Sequence, residues 1–323
     1  KGATILTVLF AVTATYFLIS PSSNPMEAEY QQFLATYRKS ISNGEEYNMR
    51  LAIFQQNMEK IQEHNSKGLS YTLAMNQFGD LTQEEFSKYL GYTPIKNKKP
   101  AQPLNIKAEA TVDWREKGAV NPVQNQGMCG SCWAFSATGA VEGSYFVKTG
   151  KLVKFAEQQL VDCETKDAGC NGGLMDNAFE YLETHDFCTE DSYPYTARDG
   201  TCKEDSCSEH YPAVASYTDV VHNSNDELKK ALNLGPVAVA IEADKMVFQF
   251  YSGGVLDDAS CGLDLDHGVL AVGYGTDNGQ DYYIVKNSWG ASWGEQGYIR
   301  IGMSHEQEGG ICGILEDESY TTS

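Results

Sequence analysis

The residues best suited to chemistry lie in 124–150, Q-N-Q-G-M-C-G-S-C-W-A-F-S-A-T-G-A-V-E-G-S-Y-F-V-K-T-G. A glycine-bearing loop leads into Cys132. After it, Trp133, Phe135, Ala137, Ala140, Val141, Tyr145 and Val147 recur with the spacing of a mostly buried helix. Lys148 suits its last turn and Gly150 its stop. Cys132 is therefore expected at or next to a helix N-terminus, where partial positive charge favours thiolate over thiol, and the thiolate is a nucleophile. Competing uses are half of a disulfide, an inert core thiol, or a redox or zinc pair with Cys129. Zinc needs more ligands at close spacing, and no second C-x-x-C exists. A thioredoxin-type pair should follow a strand in a βαβ pattern, which this stretch lacks.

A nucleophilic thiol needs an imidazole. Histidines stand at 64, 185, 210, 222, 267 and 305, and only His267 sits in a glycine-flanked apolar run, L-D-H-G-V-L-A-V-G-Y-G. A buried core histidine is the plain alternative. Asn287, in K-N-S-W-G, offers an amide oxygen that could accept an imidazole N–H and fix tautomer and ring orientation. Trp289 and Trp293 would then shield that bond from water. A simple turn would also explain Asn, Ser and Gly here. Asp266, next to the histidine, reads equally as a local charge or a solvated carboxylate.

Charge and cysteine usage narrow the setting. Residues 1–108 carry 11 Lys and Arg against 9 Asp and Glu, while residues 109–323 carry 13 against 35, net +2 and −22. An acidic body argues against nucleic acid and against anionic membrane surfaces as partners. All nine cysteines lie after residue 128, and an odd count of that density fits disulfide pairs plus one free thiol in an oxidising compartment. Residues 2–19 are uncharged and follow Lys1. They read as the apolar core of a signal peptide, with a signal anchor as the alternative.

The elements that must position these groups follow in order. Tyr30, Phe33, Leu34 and Tyr37 recur at helical spacing over 26–37. A second helix over about 45–65 carries Glu46, Arg50, Phe54, Asn57, Ile61 and Asn65 near one face, with Glu46 and Arg50 an i,i+4 pair. Residues 91–109 turn polar, with Pro94, Pro100 and Pro103, as an exposed and cleavable linker would. Residues 131–149, about 156–163 and 174–185 read as helices. V-A-V-A-I-E, H-G-V-L-A-V-G-Y-G, D-Y-Y-I-V-K and Y-I-R-I read as strands.

The identities at these positions resemble one family. C-G-S-C-W is similar to the nucleophile segment of papain-like cysteine proteases. E-x3-R-x3-F-x2-N-x3-I-x3-N is the ERFNIN pattern of cathepsin L-type propeptides, and A-M-N-Q-F-G-D resembles the G-x-N-x-F-x-D that follows it, with Ala74 in place of the glycine. T-V-D-W-R-E-K-G-A-V resembles the start of a mature cathepsin L-like chain. The resemblance runs from about residue 26 to the end. It implies an α+β papain-like fold of two lobes, one helical and one β barrel-like, preceded by a helical inhibitory propeptide. The implied division is a leader or anchor in 1–21, propeptide in 22–108 and peptidase in 109–323, with the mature N-terminus within about 106–112. It also implies a cysteine endopeptidase made as a zymogen, the alternative being a catalytically dead binding or inhibitor protein.

Residue by residue, the resemblance makes Cys132 the nucleophile and His267, 135 positions later, its base and acid. Asn287 becomes the orienting amide, and Gln126 an oxyanion donor with the Cys132 backbone N–H. Gly172, Gly173, Leu174, Met175, Ala240, Leu265, Gly268 and Trp289 would line the substrate cleft. Asp317 falls at the far end of the pocket for the residue two before the scissile bond, where an acid would accept Arg; pointing to solvent is its alternative. Three disulfides are implied, Cys129–Cys170, Cys163–Cys202 and Cys261–Cys312. Cys188 and Cys207 lie outside the usual pattern and are expected to pair, since an exposed thiol beside a reactive one is a liability; two free thiols are the alternative. Ala156 stands where relatives place a Ser or Thr helix cap. No metal or cofactor is implied. Implied partners are protein and peptide substrates, the chain's own propeptide and cystatin-type inhibitors. The setting is a monomer in the lysosome, in an acidic vacuole or outside the cell, with no membrane attachment once processed. Opposite net charges suggest that the propeptide is held by ion pairs that acid would weaken.

Overall fold

The computed structural model describes residues 25–94, 101–304 and 308–323. The expected leader, residues 1–21, lies outside them, as do Lys96, Lys98, Lys99 and Pro100 of the linker and His305. The first part of the chain forms α1 (Pro25–Thr36), α2 (Gly44–Asn65), β1 (Tyr71–Leu73) and α3 (Gln83–Ser87). Every ERFNIN position has a job here. Arg50 pairs with Glu46 at 2.8 Å and with Glu85 of α3 at 2.8 Å, and Nη1 also reaches the Asp80 carbonyl. Phe54 packs on Tyr30 and Phe33 of α1, and Ile61 is buried. Asn57 donates to the Gly79 carbonyl, and Asn65 exchanges two hydrogen bonds with the Leu73 backbone. The motif thus ties α2 to the chain that returns beneath it.

The remainder forms β2 (Val112–Asp113), α4 (Cys132–Thr149), α5 (Glu157–Cys163), α6 (Met175–Leu182), β3 (Phe187–Cys188), β4 (His210–Tyr211), β5 (Ser216–Asp219), α7 (Asn225–Leu234), β6 (Val237–Ile241), α8 (Met246–Gln249), β7 (Tyr251–Leu256), β8 (His267–Asp277), β9 (Gln280–Lys286), β10 (Tyr298–Gly302) and β11 (Glu318–Thr322). The helix read over 174–185 ends earlier, at Leu182. There the side chains of Thr184 and His185 take the Tyr181 carbonyl, which a continuing helix would need. Ala156 caps α5 with no side-chain hydrogen bond.

Two cores result. One joins Trp133, Ala137 and Val141 of α4 to Leu160, Phe179, Leu182 and Phe187. The other lies in the sheet, with Val239, Val269, Val285 and Ile299 covered by Leu228 and Leu232 of α7. The strands run β1-β7-β10-β9-β8-β6-β11-β5, with β2 on β8. The β8–β9 hairpin turns at Asn278-Gly279, both at positive φ, as a tight two-residue turn requires. Four disulfides form: Cys129–Cys170, Cys163–Cys202, Cys261–Cys312 and Cys188–Cys207. Cys132 is the free cysteine.

β1 joins the sheet as an antiparallel edge strand on β7, pairing Tyr71 with Gly254 and Thr72 with Gly253. Gly254 sits at φ +90°, and a Cβ there would come 2.2 Å from the Ser70 carbonyl oxygen, so glycine is required for this strand to dock. Main-chain pairing supplies affinity without depending on side-chain charge. No ion pair between described residues crosses from 25–94 to 101–323. Two carboxylates accept from tyrosine hydroxyls of the first segment: Tyr71 donates to Asp258 at 2.6 Å, and Tyr92 donates to Asp317.

Candidate active site

Cys132 is the first residue of α4 and fully buried. The Gly268 N–H points at its sulfur from 3.3 Å, and the backbone N–H groups of Gly91 and Trp133 also face it. Those dipoles favour thiolate, but burial outweighs them and pushes the thiol up to about 12. His267 opens β8, one residue before the Gly268 that touches the sulfur. Its Nε2 lies 2.9 Å from Asn287 Oδ1. The Ser288 N–H donates to the same oxygen at 2.8 Å, which fixes the amide so that its oxygen faces the ring. The imidazole must then carry its proton on Nε2, leaving Nδ1 as the basic nitrogen. That atom is buried without a hydrogen-bond partner. Burial holds the imidazole down to about 4. Both groups are therefore neutral in the closed protein.

Trp289 lies over the imidazole with ring centres 4.7 Å apart, and Trp293 packs edge-on against Trp289. Phe78 and Phe86 of the first segment cover Trp289 in turn, at 5.1 and 5.5 Å. Asn76 reaches across to the Gln249 carbonyl at 2.7 Å, and Gln77 to the Trp289 carbonyl at 2.8 Å. Gln126 is held by Ser288, whose hydroxyl donates to Oε1 at 2.6 Å. Its Nε2 donates to the carbonyls of Cys129 and Tyr89, each at 2.9 Å. A carbonyl of the first segment thus occupies that amide.

Residues 89–93 run through the cleft. Tyr92 N–H donates to the Asp266 carbonyl, Gly173 N–H to the Gly91 carbonyl, and Thr93 N–H to the Gly173 carbonyl, with Tyr92 parallel to Gly173. Gly172 sits at φ +116° with room for no more than hydrogen beside Gly91. The Tyr92 ring joins the buried cluster of Trp133, Met175 and Ala240, with Leu174 and Leu265 at its edge. Gly268 packs tightly between Met175 and the Cys132–Trp133 backbone, where a Cβ would lie 3.2 Å from Met175 Sδ and from Trp133 Cα. Asp317 is turned inward and buried, receives the Tyr92 hydroxyl, and is raised to about 7 by burial and by Glu318. Asp266 accepts the Ala243 N–H and is also raised to about 7, chiefly by burial. Sequence reasoning missed Tyr92, Tyr89 and Gly91 as occupants of the site. The Gly-Tyr pair gave no signal, because a segment's docking register is not written in its own residues.

A two-lobed fold with a buried Cys–His–Asn set, closed by a preceding helical segment, defines a thiol hydrolase in its zymogen form. Residues 108–322 match the papain family of cysteine proteases, and residues 30–86 match the cathepsin propeptide inhibitor domain. The chain belongs to the papain family. It is 47% identical over 313 residues to a probable cysteine protease RD21B of Arabidopsis thaliana, covering 93% of this chain and 67% of that one. Digestive procathepsin L 3 of Tenebrio molitor larval midgut superposes with a TM-score of 0.83 at 41% identity, covering 93% of this chain and all of that one (100%). The Carica candamarcensis cysteine protease CMS1MS2, solved with E-64, gives 0.64 at 40% identity over 67% of this chain and 99% of that one. The chain is thus a cysteine protease with an inhibitory propeptide, acting on peptide substrates. Among the described residues no helix is long and apolar enough to cross a membrane.

Proposed function

We propose that Cys132 is the nucleophile of an endopeptidase reaction and His267 its proton carrier. The observation that carries this is the Asn287 contact to Nε2, which leaves Nδ1 as the free basic nitrogen one residue from the Gly268 N–H that touches the sulfur. In the open enzyme, Cys132 gives its proton to His267 Nδ1. The thiolate attacks the substrate carbonyl carbon, and the oxyanion is held by Gln126 Nε2 and the Cys132 N–H. The C–N bond breaks as His267 protonates the leaving amine, giving an acyl-thioester. Water, deprotonated by His267, then releases the acid and restores the thiol. Gly172, Gly173, Leu174, Met175, Ala240, Leu265 and Gly268 form the substrate wall, and Trp289 shields the imidazole.

The pocket that holds Tyr92 takes Leu, Phe or Tyr, and Asp317 at its end adds Arg when ionised. The propeptide is 22–108, the peptidase 109–323, and processing falls within 106–112. The four disulfides support a secretory route to a lysosome or acidic vacuole, or to the exterior. The processed enzyme is a monomer open to cystatin-type inhibitors. Treating the processed chain with E-64 tests the reading. Stoichiometric labelling at Cys132, lost in His267→Ala, is expected; a chain that refuses the reagent after propeptide removal is the catalytically dead relative instead.

A further inference from the structure

Gly173 is wedged between two side chains. A Cβ on it would lie 2.7 Å from the Asp167 carboxyl carbon on one side and 2.7 Å from the Trp133 indole on the other. Both backbone groups of Gly173 face the cleft and hold residues 91–93. The carboxyl behind it is not idle. Asp167 Oδ1 accepts from Asn177 Nδ2 of α6 at 2.8 Å, and the carboxyl also receives the Leu174 backbone N–H. Its Oδ2 is sealed from solvent without a donor, and the carboxyl of Glu164 lies beside it. Glu164 is buried and accepts the Asp167 N–H at 2.7 Å and the Lys166 N–H at 2.8 Å. Ala168 closes the loop by donating to the Gly172 carbonyl.

We propose that Asp167 is a positioning residue: it fixes the Gly172–Leu174 strand from behind, so that Gly173 presents its N–H and C=O in register to the substrate main chain, and it does so best with its own carboxyl protonated. This rests on the reading that the cleft strand binds substrate. An ionised Asp167 is repelled by the Glu164 carboxyl beside it. Protonated, Asp167 can turn an O–H toward Glu164 while its other oxygen keeps Leu174 and Asn177. Ionised, Asp167 is pushed away from Glu164 and from the strand. Burial raises Asp167 to about 7, within the working range of a protease that meets acidic and neutral compartments. Lys166 attracts both acids, but less than it attracts Glu180. Lys166 is drawn to Glu180 of α6, and Asp199 is occupied by the Cys170 N–H.

The mechanism predicts a KM effect. Processed Asp167→Ala should show KM for a peptide substrate raised about tenfold, with kcat within a factor of two. The wild type should show KM rising several-fold between pH 6 and 8. Asp167→Asn, whose amide mimics the protonated acid, should keep the low KM and lose that rise. Iodoacetamide, too small to use Gly173, should alkylate Cys132 at the same rate in all three. Asp167→Asn retaining the wild-type rise, or Asp167→Ala leaving KM unchanged, overturns the proposal. Unreactive Cys132 in the wild type would instead overturn the reading of the site itself.

Discussion

Tyr92→Phe removes one hydroxyl from the segment that fills the cleft. The ring stays in its cluster, so apolar packing is kept, while Asp317 loses the donor it receives while buried. A hydrogen bond to a charged group contributes about 1.5–3 kcal/mol. At about 1.4 kcal/mol per tenfold, the open fraction of the intact zymogen should rise roughly 10- to 150-fold. The assay is the E-64 labelling rate of unprocessed chain at pH 8, where Asp317, raised to about 7, is ionised. At pH 5 the acid is protonated, the bond is neutral, and the gain should fall to about tenfold or less. Asp317→Asn should make the Tyr92→Phe change smaller at pH 8. A labelling rate unchanged within twofold at pH 8 would refute the reasoning, since it would mean that the hydroxyl does not hold the segment closed. The sign for Asp317 itself is also fixed. Its pKa is raised in the closed form and falls on opening, so this group favours closure as pH drops and opposes activation by acid.

Release by acid would need groups of opposite sign. His64 is buried beside Tyr71, which donates to Asp258, and burial lowers its pKa. Opening exposes the imidazole, so protonation favours opening as pH falls through the ordinary histidine range; His64→Phe should shift autoactivation, followed by chain length on gels, to lower pH. The ratio of Arg to Phe cleavage two residues before the scissile bond should rise with pH through the Asp317 ionisation, and Asp317→Ala should flatten it while Phe cleavage changes less. Ala156→Ser should supply the missing α5 cap and stabilise the fold by about 1 kcal/mol, read by denaturant midpoint.

Much of this was legible in the residues, for physical reasons that differ. C-G-S-C-W and the ERFNIN spacing are local, because one helix turn fixes which side chains share a face. The start of α4 at Cys132 followed from that alone. The Thr82–Glu85 capping box of α3 was equally local, and T-Q-E-E was there to be read. What sequence could not carry were contacts set by long-range register. Tyr92 meets Asp317 across 225 positions, and Asp167 lies behind Gly173 only because α6 and the disulfide-tied loop fold back on it. The charge contrast is a sum over residues and says nothing of placement, and Lys96, Lys98 and Lys99, which carry part of it, lie outside the described residues. The segment is held by strand pairing, amides and tyrosines.

The central claim is that Cys132 and His267 form a working pair only once the propeptide leaves. The most direct test is the iodoacetamide alkylation rate of Cys132 from pH 4 to 9, in the intact zymogen and in the processed chain. In the processed chain the rate should hold a plateau well below the ordinary thiol range near 8.5, as a thiolate beside imidazolium does, while the zymogen stays unreactive throughout. A processed chain whose rate rises as a single ordinary thiol ionisation, or a zymogen that alkylates as fast as the processed form, would contradict it.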